Sequence, residues 1–236
     1  MTTVALVHGA WHGAWCFARL ADQLAMLGHR PVAIDLPISD VDAGAARYAA
    51  VIVSALRDCP DDVVLLGHSM GGLAIPLVPA LRPIRRLVFL CALLPRPGNA
   101  FDSPGSSVPP AAAGLGVDEA GTSRWTGDRV LELLYGDCDG EVARSAARSL
   151  RPQASLPFTE VTPLRSWPEV PSTAIYCAED RTVPPALFAP VARDLLGREP
   201  LLFPGGHSPF LTRPAELAAV LHSVVLRREG VGGDDR

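Results

Sequence analysis

The sequence predicts an α/β protein: a mostly parallel central sheet with helices on both faces and an inserted cap. Three observations predict it. Short apolar runs of strand length recur along the chain, each followed by a longer helix-compatible stretch, and that alternation implies parallel pairing through helical crossovers. The runs at 4–7 and 63–66 are apolar without alternation, as strands buried on both faces must be. About eighty residues then separate the run ending at Cys91 from the one starting near Thr173, far more than an ordinary connection.

The elements follow in order. Residues 4–7 form the first strand, and 14–27 read as a helix closed by Gly28, a residue suited to the left-handed position after a helix. The second strand covers 30–34 and ends at Asp35, a turn or capping residue. Residues 43–57 are helical by composition, and 62–66 make the third strand. A helix at 73–81 follows, bent or shortened by Pro76 and Pro79. The fourth strand lies at 84–90. Within the long separation, 95–121 is rich in Pro, Gly, Ser and Ala and is expected to be irregular, whereas 128–135 and 141–150 read as helices. Strands at 171–177 and 200–203, with a last helix at 215–228, complete the pattern. The expected division is a core of 1–94 and 171–229, a cap at 95–170 and a disordered tail at 230–236. An insertion there lies over the strand tops, where it shapes a substrate pocket.

Composition bounds the chemistry. At 236 residues and 48% hydrophobic, the chain can bury a core as one domain. A net charge of −4 without a basic face argues against nucleic acid. Every apolar run is well short of the ~20 residues of a membrane span, and the first strand follows Met1-Thr2-Thr3 too closely for a signal peptide. A cytoplasmic location is expected. Five cysteines at irregular spacing form neither a disulfide framework nor a zinc pattern, and Cys91 and Cys177 read as small core residues. All 21 basic residues are arginine, a usage associated with GC-rich bacterial genomes. With no lysine, Schiff-base catalysis, a phosphate-loop lysine and a serine–lysine dyad are excluded. No glycine-rich dinucleotide loop opens a helix and no histidine pair stands at ligand spacing with a carboxylate, so neither a cofactor nor a metal is expected.

The chemistry concentrates at Gly67-His68-Ser69-Met70-Gly71. This is a G-x-S-x-G pattern after a buried strand and before a helix, and its glycines leave room for the sharp turn that exposes the serine. His68 points away from the active face and reads as structural. A base should follow later in the chain. His222 lies on the amphipathic last helix, so a surface role fits it better. His207 stands in Gly205-Gly206-His207-Ser208, directly after a strand, where a general base can reach a serine hydroxyl. The acid should lie between them, and the strand at 174–178 ends in Glu179-Asp180-Arg181. Either carboxylate could orient the imidazole. Asp180 is favoured, being one residue further into the loop, with Glu179 free to pair with Arg181. An oxyanion hole needs two backbone N–H groups. Met70, after the nucleophile, supplies one, and Ala10 in the bend after the first strand is the candidate for the other.

These motifs resemble those of the α/β-hydrolases over nearly the whole chain. More narrowly, His8-Gly9-Ala10 with His12-Gly13-Ala14-Trp15-Cys16, the serine and acid loops above, and Gly205-Gly206-His207-Ser208-Pro209-Phe210 are similar to the plant methylesterase and hydroxynitrile lyase group and its bacterial relatives. The resemblance implies a Ser69–His207–Asp180 triad. Two departures separate the chain from the cyanohydrin-cleaving branch. That branch carries a threonine where Gly9 stands and a lysine where Ser208 stands, so the resemblance implies ester chemistry.

Trp11 and Phe210 flank the oxyanion and histidine loops, and Trp125 lies in the cap. All three are candidates to wall an apolar pocket, while His12 reads as structural. The leading expectation is a serine hydrolase of a small or medium carboxylic ester. The alternatives are the same triad used for lyase, elimination or ring-closure chemistry on a specialised metabolite, and a non-catalytic ligand-binding protein. The expected partner is a small molecule, and the oligomeric state is left open, a homodimer being one option.

Overall fold

The computed structural model describes residues 1–101 and 114–226. The expected disordered tail at 230–236 and part of the expected irregular stretch, 102–113, lie outside the described residues. Six strands form the central sheet: β1 (Thr3–Val7), β2 (Arg30–Ile34), β3 (Val63–His68), β4 (Arg86–Leu90), β8 (Ser172–Cys177) and β9 (Leu201–Phe203), in the order β2-β1-β3-β4-β8-β9. Every pairing in it is parallel, with Val7 opposite both Ile34 and Gly67.

Period-two geometry explains why these strands are apolar throughout. Ala5, Val7, Leu65, Leu87, Phe89 and Tyr176 join the core on one face. Their alternates Val4, Leu6, Val64, Leu66, Val88, Leu90 and Ile175 join the core on the other. On the first face lie α2 (Ala45–Ala55), through Tyr48, Ala49 and Ile52, and α6 (Pro185–Leu196), through Phe188 and Ala192. On the second lie α1 (Ala18–Met26), through Leu20 and Leu24, the short α7 (Pro209–Thr212), through Phe210 and Leu211, and α8 (Pro214–Leu226), through Leu217, Leu221 and Val224. Burying two such faces is the main favourable term of the fold.

Between β4 and β8 the chain forms a second, antiparallel sheet of β5 (Leu115–Val117), β6 (Thr122–Trp125) and β7 (Gln153–Ala154). It also carries α3 (Arg129–Tyr135), α4 (Gly140–Arg148) and the short α5 (Leu156–Thr159). Strand β5 corrects the expectation of irregular chain across 95–121 at residues 115–117 alone. A three-residue strand shows no readable alternation, and β6 finds its second partner some thirty residues downstream. The helix expected at 73–81 is also corrected: two 3-10 segments, Ser69–Leu73 and Ile75–Ala80, stand there. Pro76 and Pro79 lack the N–H groups that α-helical bonds to residues 72 and 75 would need. A 3-10 turn, Ala14–Phe17, likewise replaces the start of the helix expected at 14–27. Among the described residues, no helix is long and apolar enough to cross a membrane.

Candidate active site

Parallel strands place their following loops along one edge of the sheet, and the candidate residues come from four of these loops. Ser69 follows β3, Ala10 and Trp11 follow β1, Asp180 follows β8 and His207 follows β9. Three non-glycine residues in the described chain have left-handed φ angles: Trp11 at 62°, Ser69 at 51° and Cys91 at 46°. Ser69 and Cys91 directly follow β3 and β4, and Trp11 lies in the loop after β1; such strain persists only where surroundings enforce it. For Ser69 the surroundings are close backbone: a Cβ on Gly71 would stand 2.9 Å from the carbonyl oxygens of Val7 and His8. The Leu93 N–H also donates to the Ser69 carbonyl at 3.0 Å.

His207 and Asp180 meet directly. The His207 Nδ1–H donates to Asp180 Oδ2 at 2.7 Å, and both residues are buried. The second carboxylate oxygen accepts the N–H groups of Thr182 and Val183, each at 2.8 Å. Burial opposes ionisation of Asp180, but the His207 charge and hydrogen bond, together with those two amides, hold its carboxyl below the usual carboxylate range. With Nδ1 committed as a donor, the neutral imidazole keeps a lone pair on Nε2. Ser69 Oγ makes no hydrogen bond to His207 here; such contacts often tighten only with substrate in place. Glu179 does not take the acid's place, nor does it pair with Arg181 as expected. Arg181 instead meets Glu132 of α3 at 3.0 Å.

The remaining histidines form the frame. His8 accepts the Leu36 N–H on Nε2 at 3.0 Å and donates from Nδ1 to the Gly9 carbonyl. Its burial lowers its pKa to about 4, so it is neutral. His12 donates from Nδ1 to the Ala10 carbonyl and accepts the Tyr135 hydroxyl on Nε2, and burial brings it down to about 3. Trp11 is held in its strained geometry from the segment between β4 and β8: Arg151 N–H donates to its carbonyl at 2.7 Å, and its indole N–H reaches Ser123 Oγ at 3.0 Å. Asp35 accepts the Ala14 N–H and pairs with Arg151, a turn-holding role. His222 pairs at 2.8 Å with His29, which lies just before β2 and so at the opposite end of the strands from these loops.

A cavity of about 370 Å³ opens over Ser69. Ala10, Trp11, Leu93, Phe101, Leu115, Val117, Phe158, Val183 and Phe188 wall it, with Ser123, Ser155 and Thr182 as polar points and no charged side chain among the described lining. Two pocket expectations are corrected. Phe210 is fully buried against Phe17 and His68, because its aromatic ring completes the core on the far side of the histidine loop. Trp125 stands behind Trp11, ring centroids 5.2 Å apart, and so supports the wall without forming it. Met70 is buried beneath the elbow, its side chain in the core. Phe101, Phe158, Val183 and Phe188 were not singled out from sequence. Val183 alone carried a signal, lying three residues beyond the acid.

Comparison with known proteins agrees with this geometry. Residues 4–220 match the model of the alpha/beta hydrolase family. Methylesterase 1 of Arabidopsis thaliana is 30% identical over 207 residues, covering 76% of this chain and 78% of the relative. Norfluorocurarine synthase 2 of Strychnos is 31% identical over 92% of both chains. Among solved structures, a pyrethroid hydrolase from Sphingobium faniae JZ-2 superposes with a TM-score of 0.80 at 24% identity, over 95% of this chain and 97% of that one. A parallel sheet, a strained serine at the end of its third strand, a histidine–aspartate pair on the last two loops and a family match across most of the length make this chain a member of the alpha/beta hydrolase family.

Proposed function

We propose that the chain is a serine hydrolase of neutral, apolar carboxylic esters. The observation that carries the reading is the 2.7 Å bond from His207 Nδ1 to Asp180, which leaves Nε2 free to act as a base on the same sheet edge as the strained serine. Ser69 Oγ attacks the ester carbonyl as His207 takes its proton. Asp180 fixes the tautomer and stabilises the imidazolium, and the Ala10 and Met70 amides bind the oxyanion. The imidazolium then protonates the departing alcohol. Water, deprotonated by the same nitrogen, attacks the acyl-enzyme and frees Ser69 with release of the acid. The uncharged cavity wall supports an apolar substrate, since a buried charge without a partner would be costly there. The likeness to a methylesterase supports ester chemistry as well.

The likeness to a synthase over 92% of both chains favours a second reading, in which the same residues drive elimination or cyclisation on a specialised metabolite. A panel of p-nitrophenyl and methyl esters, with fluorophosphonate labelling, tests the first. Ester turnover should fall by roughly three or more orders of magnitude in Ser69→Ala, which should also escape labelling. Equal labelling of variant and parent would place the nucleophile elsewhere, and inactivity on every ester would favour the second reading.

A further inference from the structure

One carboxylate of the cap reaches the histidine loop. Asp137 lies in the turn between α3 and α4, and its Oδ2 accepts the Gly206 N–H at 2.9 Å. Gly206 immediately precedes His207, so this bond fixes the Gly205–Gly206 peptide, one peptide ahead of the residue that carries the imidazole. The loop is shaped around the carboxylate: a Cβ on Gly205 would stand 2.7 Å from Asp137 Oδ2, and one on Gly206 2.8 Å from Oδ1. Gly205 also holds a left-handed φ of 96°.

Other groups hold the same loop on its remaining sides. The Glu179 N–H donates to the Gly205 carbonyl at 3.0 Å, and His68 Nε2–H donates to the His207 carbonyl at 3.0 Å. Asp137 is therefore the cap's contribution to a three-point mount. Its neighbours brace the other loops. Tyr135 reaches the oxyanion loop through His12, and the Leu133 carbonyl accepts the Thr182 hydroxyl of the acid loop at 2.9 Å.

We propose that Asp137 is a positioning residue, which acts on the reaction through His207 by fixing the Gly206 peptide. The inference rests on His207 being the base. A hydrogen bond to an ionised acceptor is among the stronger kinds, and small misplacements of a reacting group cost rate steeply. A cavity of about 380 Å³ borders Asp137, Gly206 and His207. Removing the carboxylate therefore lets water meet the freed N–H, so the variant folds and loses only the fixed geometry.

The test compares Asp137→Ala and Asp137→Asn in the full chain, with p-nitrophenyl butyrate as substrate. Asp137→Ala should lower kcat about tenfold, as a modest misalignment does. KM should stay within about twofold and the melting temperature within ~2 °C, as for a solvent-facing substitution. Asp137→Asn should recover most of the rate, because its amide oxygen accepts the same bond. In a His207→Ala background, whose residual rate over water persists through the oxyanion site and binding, adding Asp137→Ala should change nothing further. Parental kcat in Asp137→Ala, no recovery with Asn, or an equal fractional loss without His207 would each overturn the proposal. Full activity in His207→Ala would instead remove the base assignment beneath it.

Discussion

The His68 ring stands 4.7 Å from the His207 ring, centroid to centroid, and its Nε2–H donates to the His207 carbonyl at 3.0 Å. His68 is the residue before Ser69, so the turn after β3 and the histidine loop are fastened to each other one residue from Ser69. The bond fixes the tautomer of His68. Its Nδ1 carries the lone pair and has no hydrogen-bond partner among the described residues, and burial holds the ring well below the usual histidine range. A neutral ring there avoids a second cation beside the imidazolium that the proposed mechanism forms on His207.

The acid assignment separates two adjacent carboxylates. Asp180→Asn should lower kcat by three to four orders of magnitude, roughly the loss seen when a triad acid is replaced by its amide. Glu179→Gln should leave it within about twofold, as for a surface change. Steady-state kinetics of the two variants on one ester decides the matter, and comparable losses would sink the assignment.

Gly9 is fitted to Ser69. A Cβ on Gly9 would stand 2.7 Å from Ser69 Cβ and 2.9 Å from His68 Nδ1, so even alanine forces the oxyanion loop and the elbow apart. Gly9→Ala should cost about a hundredfold in kcat/KM, the scale of a 1 Å misplacement at a reacting centre. Wild-type kinetics in that variant would show that the loops tolerate the shift.

Acid should destabilise the fold early. Below pH 6.5 the unfolded chain takes protons on histidine that the folded chain refuses, because burial lowers His8 to about 4 and His12 to about 3. Stability therefore falls as pH drops through the unfolded value, by about 1.4 kcal/mol per pH unit for each such histidine. Asp180, with a lowered pKa, adds a loss only in the more acidic range, as pH falls through its folded value. Urea unfolding at pH 7.5 and pH 5.5 should differ by about 3 kcal/mol from these two rings alone. Equal stabilities at the two pH values would mean that the rings are not buried as neutral species.

Cyanohydrins should not be cleaved. A departing cyanide needs a positioned cation or strong donors in a dry site, yet the chain has no lysine and Ser208 follows His207. Ser208 is fully buried and neutral, and the described wall around Ser69 carries no charge. Mandelonitrile at mildly acidic pH should release cyanide at the buffer rate. Rapid release abolished by Ser69→Ala would move the protein to the lyase reading.

The sequence by itself determined the sheet and the chain order of the chemistry. Val4 to Val7 and Val63 to Leu66 could only be strands buried on both faces, and a serine between such a strand and a glycine pair marks its own turn. Those signals are local, set by side-chain period and by steric room within a few residues. Tertiary structure alone decided what surrounds them. Phe101, Phe158 and Phe188 line the cavity over Ser69 from three separate segments, Tyr135 and Arg151 brace the loop after β1 from between β4 and β8, and Phe210 turns into the core although its loop borders the candidate site. β5 and β7 pair with β6 across gaps in which neither strand is long enough to show a pattern. Such contacts come from packing between residues far apart in the chain, where a side chain's partner is chosen by the shape left to fill and leaves no periodic trace in the sequence.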